Sequence, residues 1–430
     1  MMMDSAHEDQ SILRKASFKL RQNHKSFQRM YLPLSDMVDL TDISNAFSRN
    51  TTVKEVSLFS DFLDGIDENW MITLRRFFGQ IGQIPSLEVL KFDYIGSTGD
   101  ELPISLLSTV VQPASKLRRL ELSCCQLTGT PDDFRAFSRI LREHQQLRQL
   151  EVYGTYMCDA ELISWPNQLD VIVTELAEIE NLEDIHITAL DFNSLGKLSH
   201  TTLTSLLNGC PKLKRLVLGE FEFNDEHIIA MATSLEKNRN LKELSFGCRL
   251  GTLGTGALVK MLPLNTSLEI LHIHVSTLDG GEDHHVALAC ALKGNTTLTQ
   301  FSLYGTTGKM THKAHQAYAD MLKLNYNLQE LEFQDEDEAL QPLMEMYLKL
   351  NRHGRGKLMQ TGKSRDYILT ILSLRDNLDC IFHLLSLYPA LLASGPSIDG
   401  VEFERVEWSN NIRGIKRKNS AIEKLERQIV

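Results

Sequence analysis

The sequence predicts an α/β solenoid: short parallel strands on the inside, helices on the outside, stacked as strand–turn–helix units. Three observations predict it. An apolar run of the form Leu-x-x-Leu-x-Leu opens at Val53, Leu87, Leu117, Leu147, Leu182, Leu213, Leu241, Leu268, Leu298 and Leu328. The intervals are 34, 30, 30, 35, 31, 28, 27, 30 and 30 residues, a fixed beat that marks stacked units. Within each run polar and apolar residues alternate, the period of a strand with one buried face. Between runs a breaker cluster is followed by apolar residues at helical spacing.

The unit from Asn295 to Leu328 shows how the residues specify each element. Asn295-Thr296-Thr297 is a polar turn, and Thr299 to Tyr304 alternate as a strand. Gly305-Thr306-Thr307-Gly308 breaks it. Thr311 is placed to cap a helix running to Leu324, with Ala314, Ala317, Tyr318, Met321 and Leu322 on one side. Pro131-Asp132-Asp133 and Asn224-Asp225 open helices in the same way. A helix needs more lateral room than a strand, so the stack must bend into a curved horseshoe with the parallel sheet inside.

The ends need covers, because terminal units would otherwise expose their cores. Residues 1–49 are expected to be an N-terminal capping segment. It holds a short helix over Ile12–Leu20, an eroded first strand at Phe27-x-x-Met30-x-Leu32 and a helix around Ile43–Phe47. The array of about ten units covers 50–352, its last helix running from Leu340 to Leu350. Asn351-Arg352-His353-Gly354-Arg355-Gly356-Lys357 breaks it. Two apolar helices, Arg365–Leu374 and Asn377–Leu387, form a helical C-terminal cap over 353–394, the alternative being a separate small module. Residues 395–430 are a polar, loose tail that ends in a charged helix.

Composition excludes several classes. A net charge of −11 over 430 residues argues against general nucleic-acid binding, which needs a concentrated basic face. No apolar run reaches bilayer-spanning length and the N-terminus lacks a signal-like apolar stretch, so a cytoplasmic protein is expected. Arg413-Gly414-Ile415-Lys416-Arg417-Lys418 leaves nuclear entry as an alternative to a plain charged tail. The 7 cysteines, with no CxxC and mostly apolar neighbours, are expected reduced and buried. The Asn-x-Ser/Thr triplets at Asn50, Asn265 and Asn295 fall in the turn before a repeat strand, so the repeat explains them.

Over roughly residues 50–350 the chain resembles the leucine-rich repeat superfamily in its long, ribonuclease-inhibitor-like form. That resemblance implies a leucine-rich repeat solenoid and a role in binding other proteins. The chain departs from the family where Asn or Cys is usual, three residues past the last strand leucine. Only Cys125 matches; Asp61, Ile95, Thr155, Leu190, Phe221, Arg249, Ser276, Thr306 and Glu336 stand elsewhere. The Asn-Arg-x-Gly-Arg-Gly-Lys break and the tail are similar to leucine-rich repeat proteins expanded in diatoms, a resemblance that implies no activity.

The strand positions that face the concavity carry the candidate site. It comprises Phe59, Lys91, Asp93, Arg119, Glu121, Glu151, Tyr153, His186, His272, His274, Tyr304 and Glu332. All concave positions together hold eight acids against three bases, while the neighbouring second positions add five bases and three acids. Mixed charge with scattered aromatics suits a protein partner better than a phosphate backbone.

His272 and His274 share one face, but the adjacent strands offer Ser245, Gly247, Ser302 and Tyr304 and no third metal ligand. Gly251-Thr252-Leu253-Gly254-Thr255-Gly256 is followed by Ala257 where a phosphate loop needs Lys, so a tight strand-to-helix turn is expected. Asp335-Glu336-Asp337-Glu338 reads as a solvated helix start. No GxSxG or other catalytic constellation is present. The expectation is a monomeric, non-enzymatic interaction module without cofactor, metal or membrane. The alternative is a regulator of an enzyme, GTPase-activating-protein-like or inhibitor-like.

Overall fold

A computed structural model describes residues 14–23, 25, 28–34, 40–47, 49–59, 68–95, 102–154, 156–158, 168–188, 198–278, 281–305, 310–333, 339–356, 370, 374 and 377–387. The chain forms two compact units, Met1–Met359 and Gln360–Val430. In the first, the strands are β1 (Arg29–Pro33), β2 (Glu55–Phe59), β3 (Val89–Asp93), β4 (Leu102–Pro103), β5 (Arg119–Ser123), β6 (Gln126–Thr128), β7 (Gln149–Tyr153), β8 (Tyr156–Cys158), β9 (Asp184–Thr188), β10 (Arg215–Phe223), β11 (Glu243–Leu250), β12 (Ile270–Leu278), β13 (Gln300–Tyr304) and β14 (Glu330–Phe333). The helices are α1 (Thr41–Phe47), α2 (Glu68–Gly82), α3 (Ile104–Val111), α4 (Pro131–Glu143), α5 (Gln168–Leu176), α6 (His200–Gly209), α7 (Asp225–Leu235), α8 (Thr252–Met261), α9 (Glu282–Gly294), α10 (His312–Leu324) and α11 (Gln341–Arg352). Residues 14–21 are also helical.

Eleven strands form one sheet in the order β1-β2-β3-β5-β7-β9-β10-β11-β12-β13-β14, and the described pairs are parallel. Each helix packs beside the next along the array. This is an α/β leucine-rich repeat solenoid. The expected first strand is β1, pairing Met30 with Val56 and Leu32 with Leu58; Phe27 lies outside the described residues. All ten leading apolar residues are at most 1% exposed, so the predicted register holds throughout. A second sheet, β4-β6-β8, runs beside the main one in three consecutive repeats. In the second unit α12 (Leu378–Leu387) is described, with Cys380 and Leu384 buried. Most of 357–376 and all of the 388–430 stretch lie outside the described residues.

Local capping follows the residues that announced it. Thr130 and Asp133 form a reciprocal capping box at α4, Asn224 caps α7 through His227 N, and Thr311 caps α10 through Ala314 N.

The turns are tied three residues before the leading leucine, which the sequence reading did not foresee. Asn50, Asn238, Asn265, Asn295 and Asn325 each use Oδ1 to accept two N–H groups of their own turn. Each donates Nδ2–H to a carbonyl of the preceding repeat: Leu20, Leu207, Leu235, Leu262 and Leu292, at 2.6–3.0 Å. Cys210 Sγ does the same towards the Leu176 carbonyl at 3.3 Å, and His144 hydrogen-bonds the Val111 backbone. Ile84, Ala114 and Ile179 occupy the position without a side-chain donor. The position past the strand is instead an apolar plug at Ile95 and Phe221, and Cys125 sits there as a buried thiol bonded to the Phe92 carbonyl. Asp61, Thr155, Leu190, Thr306 and Glu336 lie outside the described residues. The sequon residues Asn50, Asn265 and Asn295 are therefore buried rungs of this ladder.

Among the described residues six cysteines are free; burial pushes the Cys125, Cys210 and Cys248 thiols up to about 12, which keeps Cys210 protonated as a donor. The expectation of uniformly buried thiols needs correction: Cys290 is exposed on α9 and Cys124 is half-buried in a left-handed turn (φ 52°).

Among the described strands none follows β14, and the Asn-Arg-x-Gly-Arg break completes its turn. At each earlier strand entrance one carbonyl accepts two N–H groups from the next repeat, as Thr299 O does from Gln329 and Glu330. At Gln329 the acceptor is filled by Arg352 Nε at 2.9 Å. Asn351 Nδ2 takes the Leu328 carbonyl at 2.6 Å. Arg355, 1% exposed, donates to the Leu322 and Lys323 carbonyls at the end of α10 and to Asn351 Oδ1. Its guanidinium lies between the Tyr326 and Tyr347 rings, 4.7 and 4.8 Å from their centroids. The negative end of the α10 dipole compensates the buried charge.

A buried histidine cluster predicts acid sensitivity. His284 Nδ1 lies 2.7 Å from Thr255 Oγ1, His285 Nδ1 3.5 Å from the Tyr318 hydroxyl, and His315 Nδ1 3.1 Å from the Thr311 carbonyl. Burial first, then the His315 and His284 rings, push the His285 pKa down from 6.5 to about 4. The unfolded chain thus binds this proton more readily. The stability is fully present above pH 6.5 and is lost as pH falls towards 4, by about 2 kcal/mol near pH 5. Urea midpoints measured from pH 7.5 down to pH 5 should fall accordingly, and His285→Leu should flatten that part of the profile.

Candidate partner-binding surface

Because side chains alternate along a strand, the positions between the buried leucines share the open face of the sheet. The parallel register aligns them in rows. One row runs Ser57, Lys91, Glu121, Glu151, His186, and continues through Ser245, His272, Ser302 and Glu332. The next holds Phe59, Asp93, Ser123, Tyr153 and Thr188 at one end and Gly247, His274 and Tyr304 at the other. Each of the twelve predicted residues lies on this face and is half-buried or exposed. They extend from β2 to β14, a strip rather than a constellation.

Three groups do come together. Arg29–Glu55, Glu55–Lys91, Lys91–Glu121, Glu121–Arg119 and Arg119–Glu151 form a chain of ion pairs at 3.0–3.5 Å across β1 to β7. Arg215 bridges Asp184 at 3.2 Å and Glu243 at 2.9 Å. Tyr153 meets His186 edge to face, and the His186 Nε2 lies 2.9 Å from Thr188 Oγ1. Burial, then the Arg215 charge, push the His186 pKa down, and burial raises that of Asp93. His274 stacks on Tyr304 with centroids 5.2 Å apart; the Tyr304 hydroxyl and Ser302 Oγ both donate to Glu332. His272 has Ser245 and Ser302 beside it, as the spacing predicts.

The second positions form a parallel rail, with Lys54–Glu88 at 2.9 Å, Arg148–Glu183 at 3.3 Å, Lys214–Glu183 at 2.8 Å and Lys242–Glu269 at 2.7 Å. The acid excess of the face is thus largely neutralised by register. Such exposed pairs contribute little stability each, but they set which charges are left for a partner.

Two aromatic residues were missed. Tyr31, 60% exposed, stacks on Phe59 at 4.3 Å, and Tyr94, 55% exposed, is held outward by a left-handed backbone (φ 59°). Tyr31 follows from applying the same alternation to the eroded first strand. Tyr94 carries no sequence signal, since bulky residues are uncommon at positive φ.

The glycine-rich Gly251–Gly256 segment makes the expected tight strand-to-helix turn, at Gly251 alone. Gly251 is the cap and α8 starts at Thr252, so two of the glycines are helical. The Gly251 and Leu253 N–H groups bind the Asp225 carboxylate of the preceding repeat at 2.8 and 3.1 Å. A Cβ at Gly251 or Gly254 would come within 2.5 Å of that carboxylate. The glycines admit a protein carboxylate, the place a phosphate would need. His284 and His285 lie on α9, off the open face. Among the described residues no group of three or more His, Cys, Asp or Glu side chains can hold a metal ion, and no helix is long and apolar enough to cross a membrane. Asp335–Glu338 and Arg413–Lys418 lie outside the described residues.

No family model matches the chain. Among solved structures, the tropomodulin C-terminal domain of Caenorhabditis elegans is 13% identical over 38% of this chain and 99% of its own, at a TM-score of 0.32. Leiomodin-1 actin-binding site 2 is 14% identical over 55% of this chain and 99% of its own, at 0.24. Likenesses of this size carry no weight here; the fold rests on register, burial and the turn ladder.

Proposed function

We propose that the chain is a non-enzymatic interaction module that captures a protein partner on the open strand face. One observation carries this reading: the sheet buries one face completely under its helices and leaves the other lined by aromatic, imidazole and charged side chains. The twelve residues from Phe59 to Glu332, with Tyr31 and Tyr94 added, are the proposed contact strip. Aromatic anchors among mixed charges are the composition of protein-recognition surfaces. The tail break that resembles diatom-type proteins serves the fold and does not bear on the choice of partner. A cytoplasmic setting fits reduced cysteines on the ladder.

Replacing Tyr153, His272, His274 and Tyr304 together with Ala is expected to lower partner capture at least about tenfold, since hot-spot truncations cost ≥ ~2 kcal/mol. The melting temperature should move by no more than a few degrees. Unchanged capture of the partner identified by mass spectrometry would move the contact elsewhere. If that partner is an enzyme such as a small GTPase, its turnover with and without the chain decides whether capture is regulatory.

A further inference from the structure

We infer that the C-terminal end of the open face, around β13 and β14, docks an extended, arginine-bearing segment of a partner protein. This rests on the partner-capture reading above and specifies where and what.

From β1 to β11 nearly every open-face carboxylate is already paired with a cation of the chain: Glu55, Glu121, Glu151, Asp184 and Glu243 all have one. A partner arriving there must compete with pairs already made. Beyond Arg215 the one described Lys or Arg on β11 to β14 is Arg249, past the irregularity in β11 and paired with Glu222 at 2.8 Å, and Glu330 and Glu332 have no ion pair among the described residues. Among the described residues Glu332 accepts hydrogen bonds from Ser302 and Tyr304, neutral donors that do not offset its charge.

Shape adds to charge. Among the described strands β14 ends the sheet, and a groove of about 810 Å³ lies beside it. Tyr304, Glu330, Glu332 and Phe333 line it from the sheet, and Glu345 and Arg352 from α11. The volume lies within the ~300–1,000 Å³ range of ligand clefts. Arg352 sits at the strand-entrance end of the groove, held by Glu345 at 3.2 Å and by the Gln329 carbonyl at 2.9 Å. That guanidinium also blocks the strand entrance, which favours recognition by side chains over extension of the sheet.

Chemistry then selects the occupant. Glu330 and Glu332 are two residues apart on a strand, about 6.6–6.8 Å, the repeat of alternate side chains on an extended chain. Arginine meets a carboxylate with two parallel N–H bonds and stacks on an aromatic face, and Tyr304 stands beside Glu332 to supply one. Lysine meets only the charge.

The test uses the full chain and an acetylated, amidated nonapeptide alternating serine with arginine. Binding is measured by fluorescence anisotropy at ~50 and ~200 mM salt. The expected result is saturable binding that weakens several-fold at the higher salt. It should weaken at least about tenfold in Glu330→Gln/Glu332→Gln and several-fold when lysine replaces arginine. Glu175→Gln/Glu178→Gln makes the same change of net charge at the outer helices and should leave binding within about twofold. No saturable binding, or equal losses in the two double variants, would overturn the proposal. So would self-association abolished by Glu330→Gln/Glu332→Gln, which assigns the groove to a second copy. Loss of partner capture in the four-alanine variant, with no effect of Glu330→Gln/Glu332→Gln on capture, would refute this inference alone and leave the capture reading standing.

Discussion

Leu271→Asp should abolish cooperative folding of the repeats around β12. Leu271 is fully buried and lies in register between Leu244 and Phe301 of the flanking strands. The substitution removes a core side chain, and it leaves a carboxylate with no cation or donor in reach. Together these cost about 5 kcal/mol or more, comparable with the whole stability of an ordinary domain. Stacked repeats are stable largely through their interfaces, so one broken unit also weakens both neighbours. Circular dichroism with urea denaturation reads the effect. His272→Asp, one residue further on the open face, should change stability by no more than about 1 kcal/mol. A Leu271→Asp protein that melts with the wild type would refute the register.

Arg355→Ala has the second-largest expected effect, about 3–4 kcal/mol. The substitution empties the slot between Tyr326 and Tyr347 and leaves the Leu322 and Lys323 carbonyls without their donor. Arg355→Lys keeps the charge and loses the planar stack, so about half of the loss should return. The damage should begin at the end of the array. Hydrogen exchange of β14 and α11 amides should accelerate first, while β2 and β3 keep wild-type protection. Equal protection along the variant would show that Arg355 is not what closes the final repeat.

These two sites differ in how readable they were. Leu271 follows from periodicity, because the leucine beat, the strand alternation and the cap residues all point to one register. The helices opening after Thr130, Asn224 and Thr311 follow from capping chemistry for the same reason. Arg355 does not follow, since a charged residue in a glycine-rich break reads as surface, and its burial depends on Tyr326 of the preceding repeat and on Tyr347 of α11. The asparagine ladder was hidden differently. Its members sit in turns that polar residues favour anyway, and their second hydrogen bond crosses to the previous repeat, at a separation of about thirty residues. The site was legible as a strip, because alternation assigns faces. Which of its charges are neutralised depends on cross-strand pairing, which becomes computable only once the register is known. Tyr94 depended on a left-handed backbone that nothing local announces.

The ladder of buried amides also fixes how the protein should age. Hydrolysis of Asn265, Asn295 or Asn325 to aspartate would exchange an N–H donor for a carboxylate aimed at a carbonyl oxygen, turning an attraction between successive coils into a repulsion. Asparagine is among the thermolabile residues, so long storage or heat should introduce these lesions one at a time. They would accumulate in the second half of the array, where such rungs are consecutive. The stretch from Ile84 to Cys210, built without asparagine at that place, is chemically the more durable part of the molecule.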